Sequence, residues 1–456
     1  MRMKLIPAWL NNDRINGGEF LTKFRFSWHS LRFVAAVPLA WLIGLLLLWG
    51  VYSLPGEIPM RHAQESAYVF WSEKTQQTWV VGGLPNVQAD NIADAFIIGM
   101  AANTVETEHT ALERALNAYF PRIPGKEYAS CTHLASYLSN PDQPVELYYY
   151  GRYWGGFALM ARLWLFICNF PQIRIANLVL QVLLALCAMY FVWRELGWRG
   201  AVAVLIAYVT LSPYTVSLSM QYYPCFYLGF GGMIAVCCLK RRNAGFNTCL
   251  WLFLLLGILT SYLDFLTYPS VVVGLPAMIW LALYRDEEVV VWRLLQLGLM
   301  WAMGYLGMWA GKWLMCALAG MQFTGGTVSQ KLSTYTSSTV LNLWGILSVP
   351  FRAISKKRLL LLCLPTLAAC WLAFWKIRRG KCVWNWRALL FGLMMLVPLA
   401  WVYVTKGHST QHPFLCNRNL SVFFASAFLL ASTLAMPRAN SVSDESSNEF
   451  PSKKER

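Results

Sequence analysis

Charge is scarce in this chain. Only 13% of its 456 residues are Asp, Glu, Lys or Arg, against about 25% in an ordinary soluble domain. With 57% of the residues hydrophobic, that shortage excludes a soluble globular protein and points to a polytopic membrane protein. Acids are the scarcer sign, 22 against 38 bases, for a net charge of +16. The basic residues nevertheless sit in short clusters between apolar runs and no RNA- or DNA-binding module is present, which excludes nucleic acid as a partner. The 12 cysteines contain no CxxC pair and no zinc spacing. Most, such as Cys187, Cys237, Cys238, Cys363 and Cys370, lie in apolar runs, where the thiol behaves as a small hydrophobe. A bridge between Cys131 and Cys416 stays open. No internal repeat is evident, which disfavours the inverted-repeat transporters.

Long apolar runs are what the chain has instead. About 20 apolar residues span a bilayer, and FVAAVPLAWLIGLLLLWGVYSL at 33–54 is the first such stretch. It is too long for a signal-peptide core and no small-residue cleavage site follows, so it reads as an uncleaved anchor behind a basic cytosolic segment, 1–32. Residues 55–172 form the one long non-spanning region. Within it, helical patterns cover 92–103 and 108–120, Pro121 and Pro124 make a break, and Asn140-Pro141 marks a turn. Nine further runs read as spans, at about 173–193, 200–218, 224–239, 247–263, 269–284, 294–315, 359–375, 387–405 and 419–436. Ten spans put both termini in the cytosol, with the basic groups Arg194/Arg199, Lys240–Arg242, Arg285/Arg293 and KIRRGK at 376–381 on the same side, as the positive-inside rule asks. Two stretches allow eleven or twelve: 154–168, a short span or interfacial helix, and LNLWGILSVPF at 341–351, re-entrant or interfacial in the ten-span reading. The expected fold is therefore all-α and polytopic, with a long first extracytoplasmic loop, a transmembrane bundle over 173–436 and a disordered cytosolic tail, 437–456.

An ionisable group in hydrocarbon costs roughly 3 kcal/mol or more, so its placement is informative. The predicted spans are nearly free of charge, and nothing ionisable falls at mid-membrane, where a proton- or ion-coupled carrier needs it. Instead the polar chemistry gathers at the outer face. Asp264 and Lys312 lie at outer span ends, Arg152 and Arg162 precede the second span, and Lys331, Lys406, His408, His412 and Arg418 lie in outer loops. In QADNIADAF, 88–96, Asp90 and Asp94 stand four apart, a spacing that shares one face of a helix. Two nearby carboxylates repel, which raises one pKa toward that of a general base. Facing cations suit a phosphate carried on a lipid at headgroup level.

This layout resembles the GT-C superfamily of membrane glycosyltransferases, which use polyprenyl-phosphate sugars. The carrying features are the first cytosolic-to-outside helix, the long outer loop with ADNIAD, and the bundle of eight or more spans. YGRYWGGFALMARLWL and KGHSTQHPFLCNRNLS also look like pieces of bacterial members. The resemblance implies a sugar moved from a polyprenyl-phosphate donor to a cell-envelope glycan or lipid acceptor, with Asp90 or Asp94 as the catalytic base and inversion at the anomeric carbon. It implies phosphate or substrate contacts for Arg152, Arg162, Asp264, Lys312, Lys331, Lys406, His408, His412 and Arg418. A divalent metal such as Mg2+ or Mn2+ is left open, with no ligands assigned; Pro413 breaks any helix that would align His408, His412 and Cys416. A bacterial inner membrane is the expected location, with the terminal KKER, an endoplasmic-reticulum retrieval pattern, as the competing indication.

Plainer structural readings stand beside these. Asp90 suits the N-cap of a helix over 91–103, Asp264 a span end, Lys312 a snorkelling cation, and Arg152 and Arg162 headgroup anchors. The other functional classes are a carrier or flippase for a lipid-linked glycan and a polytopic protein without catalysis.

Overall fold

The computed structural model describes residues 28–73, 79–80, 88–102, 109–127, 129–286, 288–321, 328–337 and 342–437. It opens with α1, Trp28–Ser53, whose leucines Leu39, Leu42 and Leu46 stay exposed along one face. A helix with apolar side chains facing outward is stable only where the surroundings are themselves apolar. Short elements follow: α2 Glu57–Gln64, α3 Ala67–Glu73, β1 Trp79–Val80, β2 Gln88–Ala89, α4 Asn91–Ala102, α5 Ala111–Leu116, β3 Tyr119–Arg122, α6 Ser130–Ser139, β4 Glu146–Tyr149 and α7 Gly156–Leu165. The helical pattern at 108–120 is realised only in part. α5 starts at a Thr110–Glu113 capping box, ends at Asn117, and gives way to β3. That strand pairs antiparallel with β4, Tyr119 opposite Tyr149 and Phe120 opposite Tyr148. Aromatic residues favour such a pleated pair, and Pro121 cannot continue a helix.

The bundle begins with α8, Phe170–Thr210, entered through an Asn169–Gln172 capping box. It is two helices joined at Gly197, whose φ of +68° only glycine adopts freely. The second half runs back along the first: Asn177 Nδ2 donates to the Val216 carbonyl at 3.2 Å and Gln181 Nε2 to that of Pro213 at 2.8 Å. The kink thus falls between the intervals 173–193 and 200–218. After α9 Pro213–Leu218 and a 3-10 turn, Met220–Tyr222, come α10 Tyr223–Arg241, α11 Phe246–Leu263, α12 Ser270–Tyr284 and α13 Val290–Leu318. The remaining elements are α14 Val328–Thr336, α15 Leu343–Arg352, α16 Lys356–Arg378, β5 Cys382–Trp384, a 3-10 turn Trp386–Leu390, α17 Phe391–Val404, α18 Lys406–Gln411, α19 Pro413–Cys416, a 3-10 turn Asn417–Asn419, α20 Leu420–Thr433 and β6 Ala435–Pro437.

Seven helices among the described residues are long and apolar enough to cross a membrane, α8 with its kink counting as one. Among the described residues the protein is an all-α, membrane-embedded chain apart from three two-stranded pairs, the last joining β5 to β6. Of the stretch at 341–351, residues 343–351 lie in the ten-residue α15, with Trp344 80% exposed. Cys131 and Cys416 are free, buried thiols. The segments 1–27 and 438–456, and with them the expected cytosolic and disordered ends, lie outside the described residues.

Candidate functional site

The connections between helices gather at the two ends of the bundle. At the end that receives α4–α7, they enclose a cavity of about 430 Å³. Its wall is assembled from distant segments: Asp90, Ala93 and Phe96 at the start of α4; Tyr148, Tyr150, Arg152 and Tyr153 from β4 and the turn after it; Gln221; Phe265; Thr334 and Tyr335 on α14; His408, Gln411, His412 and Leu415 on α18 and α19. α14 and α18 approach closely at Gly407, where a Cβ would stand 2.1 Å from the Thr334 carbonyl oxygen. No larger residue fits there without moving Tyr335 away from His408, so the glycine closes this side of the cavity.

Asp90 is the N-cap of α4. Its Oδ1 accepts the Ala93 N–H at 3.1 Å, and its own N–H donates to Ser219 Oγ at 2.9 Å. Burial holds its carboxyl above the ordinary carboxylate range, although the Ala93 amide, the Gln221 side chain and the Arg418 charge pull it down. Arg152 donates from Nη2 to the Tyr150 hydroxyl at 2.7 Å and lies 4.6 Å over the Tyr150 ring and 5.3 Å over that of Tyr153. It has no carboxylate within ion-pair distance among the described residues. Among the described residues its charge is therefore steadied by ring faces and one hydroxyl. Tyr153 and Tyr335 share a hydroxyl contact at 3.3 Å. The rings of His408 and His412 lie 4.8 Å apart. Burial pushes His408 down to about 3 and also lowers His412, with Arg152 adding to both effects. Both imidazoles are thereby kept neutral near pH 7. The cavity thus offers one carboxyl, one fixed cation, two neutral imidazoles and a set of aromatic faces.

Four of the eleven residues singled out from the sequence line this cavity: Asp90, Arg152, His408 and His412. Asp94 does not. The four-residue spacing fails because Asp90 is a cap, outside the helical register, whereas Asp94 is within the first turn. Asp94 is fully buried, accepts the Met220 N–H at 2.7 Å and faces Arg174 at 3.5 Å. Burial pushes it up to about 8 against the opposing pull of Arg174.

The remaining residues have structural partners. Arg162 is 1% exposed and donates to the carbonyls of Val51 at 3.2 Å, Leu54 at 3.0 Å and Ala101 at 2.7 Å. It clamps the C-terminal ends of α1 and α4, where a cation meets the negative end of a helix dipole. Buried Lys312 donates to the Leu116 carbonyl and lies 5.7 Å over the Trp154 ring, so it does not snorkel. Asp264 ends α11 and closes a turn by accepting the Thr267 N–H at 2.9 Å and the Thr267 hydroxyl. Burial, offset by Thr267, raises it to about 6. It is the next residue, Phe265, stacked 3.8 Å from Phe157, that reaches the cavity. Lys406 lies 5.8 Å over the Tyr403 ring, outside the wall. Arg418 stacks 3.9 Å over Tyr222 and donates to the Phe414 carbonyl; it acts on Asp90 through its field. The Lys331 side chain lies outside the described residues.

Sequence reasoning missed the aromatic wall. Its signal was in plain view in YYYGRY, 148–153, where the alternation of a strand sends Tyr148 and Tyr150 to one side, but the run reads first as an interfacial belt. It also missed Gln221 and Tyr335, which nothing local distinguishes. Among the described residues no three His, Cys, Asp or Glu side chains converge. Among the described residues the cavity brings one carboxyl and two imidazoles, fewer oxygen ligands than a resident Mg2+ takes. No family model, curated protein or solved structure matches the chain.

Proposed function

We propose that the protein is a membrane glycosyltransferase of GT-C type, moving one sugar from a polyprenyl-phosphate donor to a cell-envelope glycan or lipid acceptor. In this reading the chain crosses a bacterial inner membrane ten times, with α8 supplying two crossings and both termini cytosolic. The cavity then opens at the headgroup level of the outer leaflet. Support for the topology comes from the basic connections Arg194–Arg199, Lys240–Arg242 and Lys376–Lys381, which fall at the opposite end of the bundle from the cavity elements.

One observation carries the chemical reading: a carboxyl held above its ordinary pKa, a guanidinium with no acid partner among the described residues and several aromatic faces line a single cavity. Aromatic faces pack against the C–H faces of a sugar ring. Arg152 meets the phosphate, which a guanidinium binds in a fork. Asp90 accepts the proton of an acceptor hydroxyl. The acceptor oxygen bonds to the anomeric carbon, the bond from that carbon to the phosphate oxygen breaks, and the lipid phosphate leaves with the electron pair, its charge met by Arg152. A single displacement of this kind inverts the anomeric centre.

Asp90→Asn is the discriminating variant, because Asn caps a helix as well as Asp does but accepts no proton. In liposomes given polyprenyl-phosphate glucose, galactose or arabinose and an envelope glycolipid extract, the wild-type protein transfers label to the extract and Asp90→Asn does not. Wild-type transfer by Asp90→Asn would overturn the assignment. Movement of the intact labelled donor across the bilayer without transfer would favour a carrier.

A further inference from the structure

We infer that a buried ion chain, Glu73–Arg174–Asp94, is the positioning element of the cavity: it clamps the Ser219–Gln221 segment against the first turn of α4 and so holds the Asp90 carboxyl in place. The inference rests on the proton-accepting role proposed for Asp90.

The chain joins three distant segments. Glu73 ends α3, Asp94 lies in the first turn of α4, and Arg174 is one turn into α8. Arg174 grips the Glu73 carboxylate with both Nη atoms, the Nη2 bond measuring 2.9 Å, and reaches Asp94 Oδ2 at 3.5 Å. Its guanidinium also lies 4.3 Å over the Phe170 ring. The side chains of Arg174, Glu73 and Asp94 are 11%, 14% and 0% exposed. Asp94 Oδ1, turned the other way, accepts the Met220 N–H. Met220 opens a 3-10 turn, so its N–H has no partner within that turn and needs one from outside.

The flanking residues are the ones that touch Asp90. Ser219 Oγ accepts the Asp90 N–H, and the Gln221 amide borders the Asp90 carboxyl on the cavity wall. Two bonds in opposite senses, Asp90 N–H to Ser219 and Met220 N–H to Asp94, therefore stitch this segment to the start of α4. The Glu73 carbonyl adds a third tie by accepting Asn91 Nδ2 at 3.4 Å. Stability alone gives little reason for the ion chain. Buried ion pairs replaced by apolar groups of equal volume commonly leave stability unchanged or improve it. What polar side chains supply and apolar groups cannot is direction: each oxygen of Asp94 is fixed to a different segment. Since Asp94 and Arg174 do not line the cavity, their effect on transfer passes through Asp90 and Gln221.

The test pairs hydrogen exchange of the full chain in lipid nanodiscs with steady-state transfer from polyprenyl-phosphate glucose. In Glu73→Gln and Asp94→Ala the amides of Ser219–Tyr222 exchange about tenfold faster or more, and kcat falls about 10–100-fold, the scale of a small misplacement of a reacting group, while the donor KM stays within about threefold. Asp94→Asn keeps an oxygen for the Met220 N–H and retains most of the wild-type kcat. The inference is overturned by wild-type exchange in Glu73→Gln and Asp94→Ala. Faster exchange with unchanged kcat overturns it too, as does an Asp94→Asn variant as inactive as Asp90→Asn, which would make Asp94 itself the base. Should exchange rise across the whole bundle, folding has been lost, and the milder Asp94→Asn decides. Should the wild type transfer no sugar, the glycosyltransferase reading fails by itself and exchange at Ser219–Tyr222 still decides whether the clamp exists.

Discussion

At the end of the bundle away from the cavity, charges stay on the surface. Arg241 pairs with Glu195 at 2.5 Å with side chains 34% and 18% exposed, and Arg387 pairs with Asp286 at 3.2 Å with 50% and 80% exposed. At the cavity end, Asp94, Arg162, Lys312 and Arg418 are each no more than 2% exposed. Solvated cations cost little and orient the chain in its membrane. Buried ones cost several kcal/mol unless every donor is satisfied. The difference separates charges that stay in solvent from charges that build the layer around the cavity. Within that layer, Arg162, with three carbonyl partners, stands apart from Arg152, with ring faces and one hydroxyl.

That contrast is breakable at several points. The largest effect belongs to Asp90→Asn, which lowers transfer by about 10²–10⁴-fold, the usual contribution of a positioned base, with no loss of protein in the membrane. A labelled-sugar assay beside an immunoblot reads both. Next come the two arginines. Arg162→Met takes a donor from three carbonyls, that of Ala101 buried and that of Val51 keeping the Leu54 N–H, and destabilises the fold by on the order of 2 kcal/mol, seen as a lower melting temperature in detergent. Arg152→Met leaves the melting temperature nearly unchanged but raises the donor KM about tenfold, the scale of one lost charge-assisted contact. Equal effects of the two on stability would erase the distinction.

A smaller effect is one of pH. Asp90 must be unprotonated to accept a proton, so the rate falls as pH falls through its pKa. Burial raises that pKa, so the half-maximal point of the acid limb lies above about 4, the ordinary carboxylate value. His408, held down to about 3, stays neutral through that window, and His408→Asn leaves the position of the limb unchanged. A limb that moves with His408→Asn would assign the titration to the wrong group. The smallest effect is at the far end: Arg241→Gln leaves both transfer and melting temperature at wild-type values, because an exposed pair contributes little.

The helices were legible because burial in an apolar medium is written directly in composition. All ten apolar intervals fall mostly on helices, even the two joined at Gly197, although 200–218 crosses a break after Thr210 and 419–436 runs into β6. The site was legible only where a charge interrupts that pattern. Asp90, Arg152, His408 and His412 stand out for that reason. The same signal also drew in Arg162, Lys312 and Asp264, since a charged residue looks alike in sequence whether its partner is a ligand or a backbone carbonyl. Asp94 does not share the cavity with Asp90, because helical spacing does not extend to a cap residue. Tyr150, Tyr153 and Tyr335 were hidden for the opposite reason: in an aromatic-rich membrane chain, a tyrosine that lines a cavity has the same letter as one that sits in a headgroup belt.

The most direct test of the central claim is a cross-linking map with polyprenyl-phosphate glucose carrying a photoreactive group on the sugar. The account predicts adducts in the peptides holding Tyr148–Tyr153, Tyr335 and His408–His412, competed by unlabelled donor and weakened in Arg152→Met. Adducts confined to the lipid-facing helices or to the opposite end of the bundle, unaffected by competitor, would contradict it.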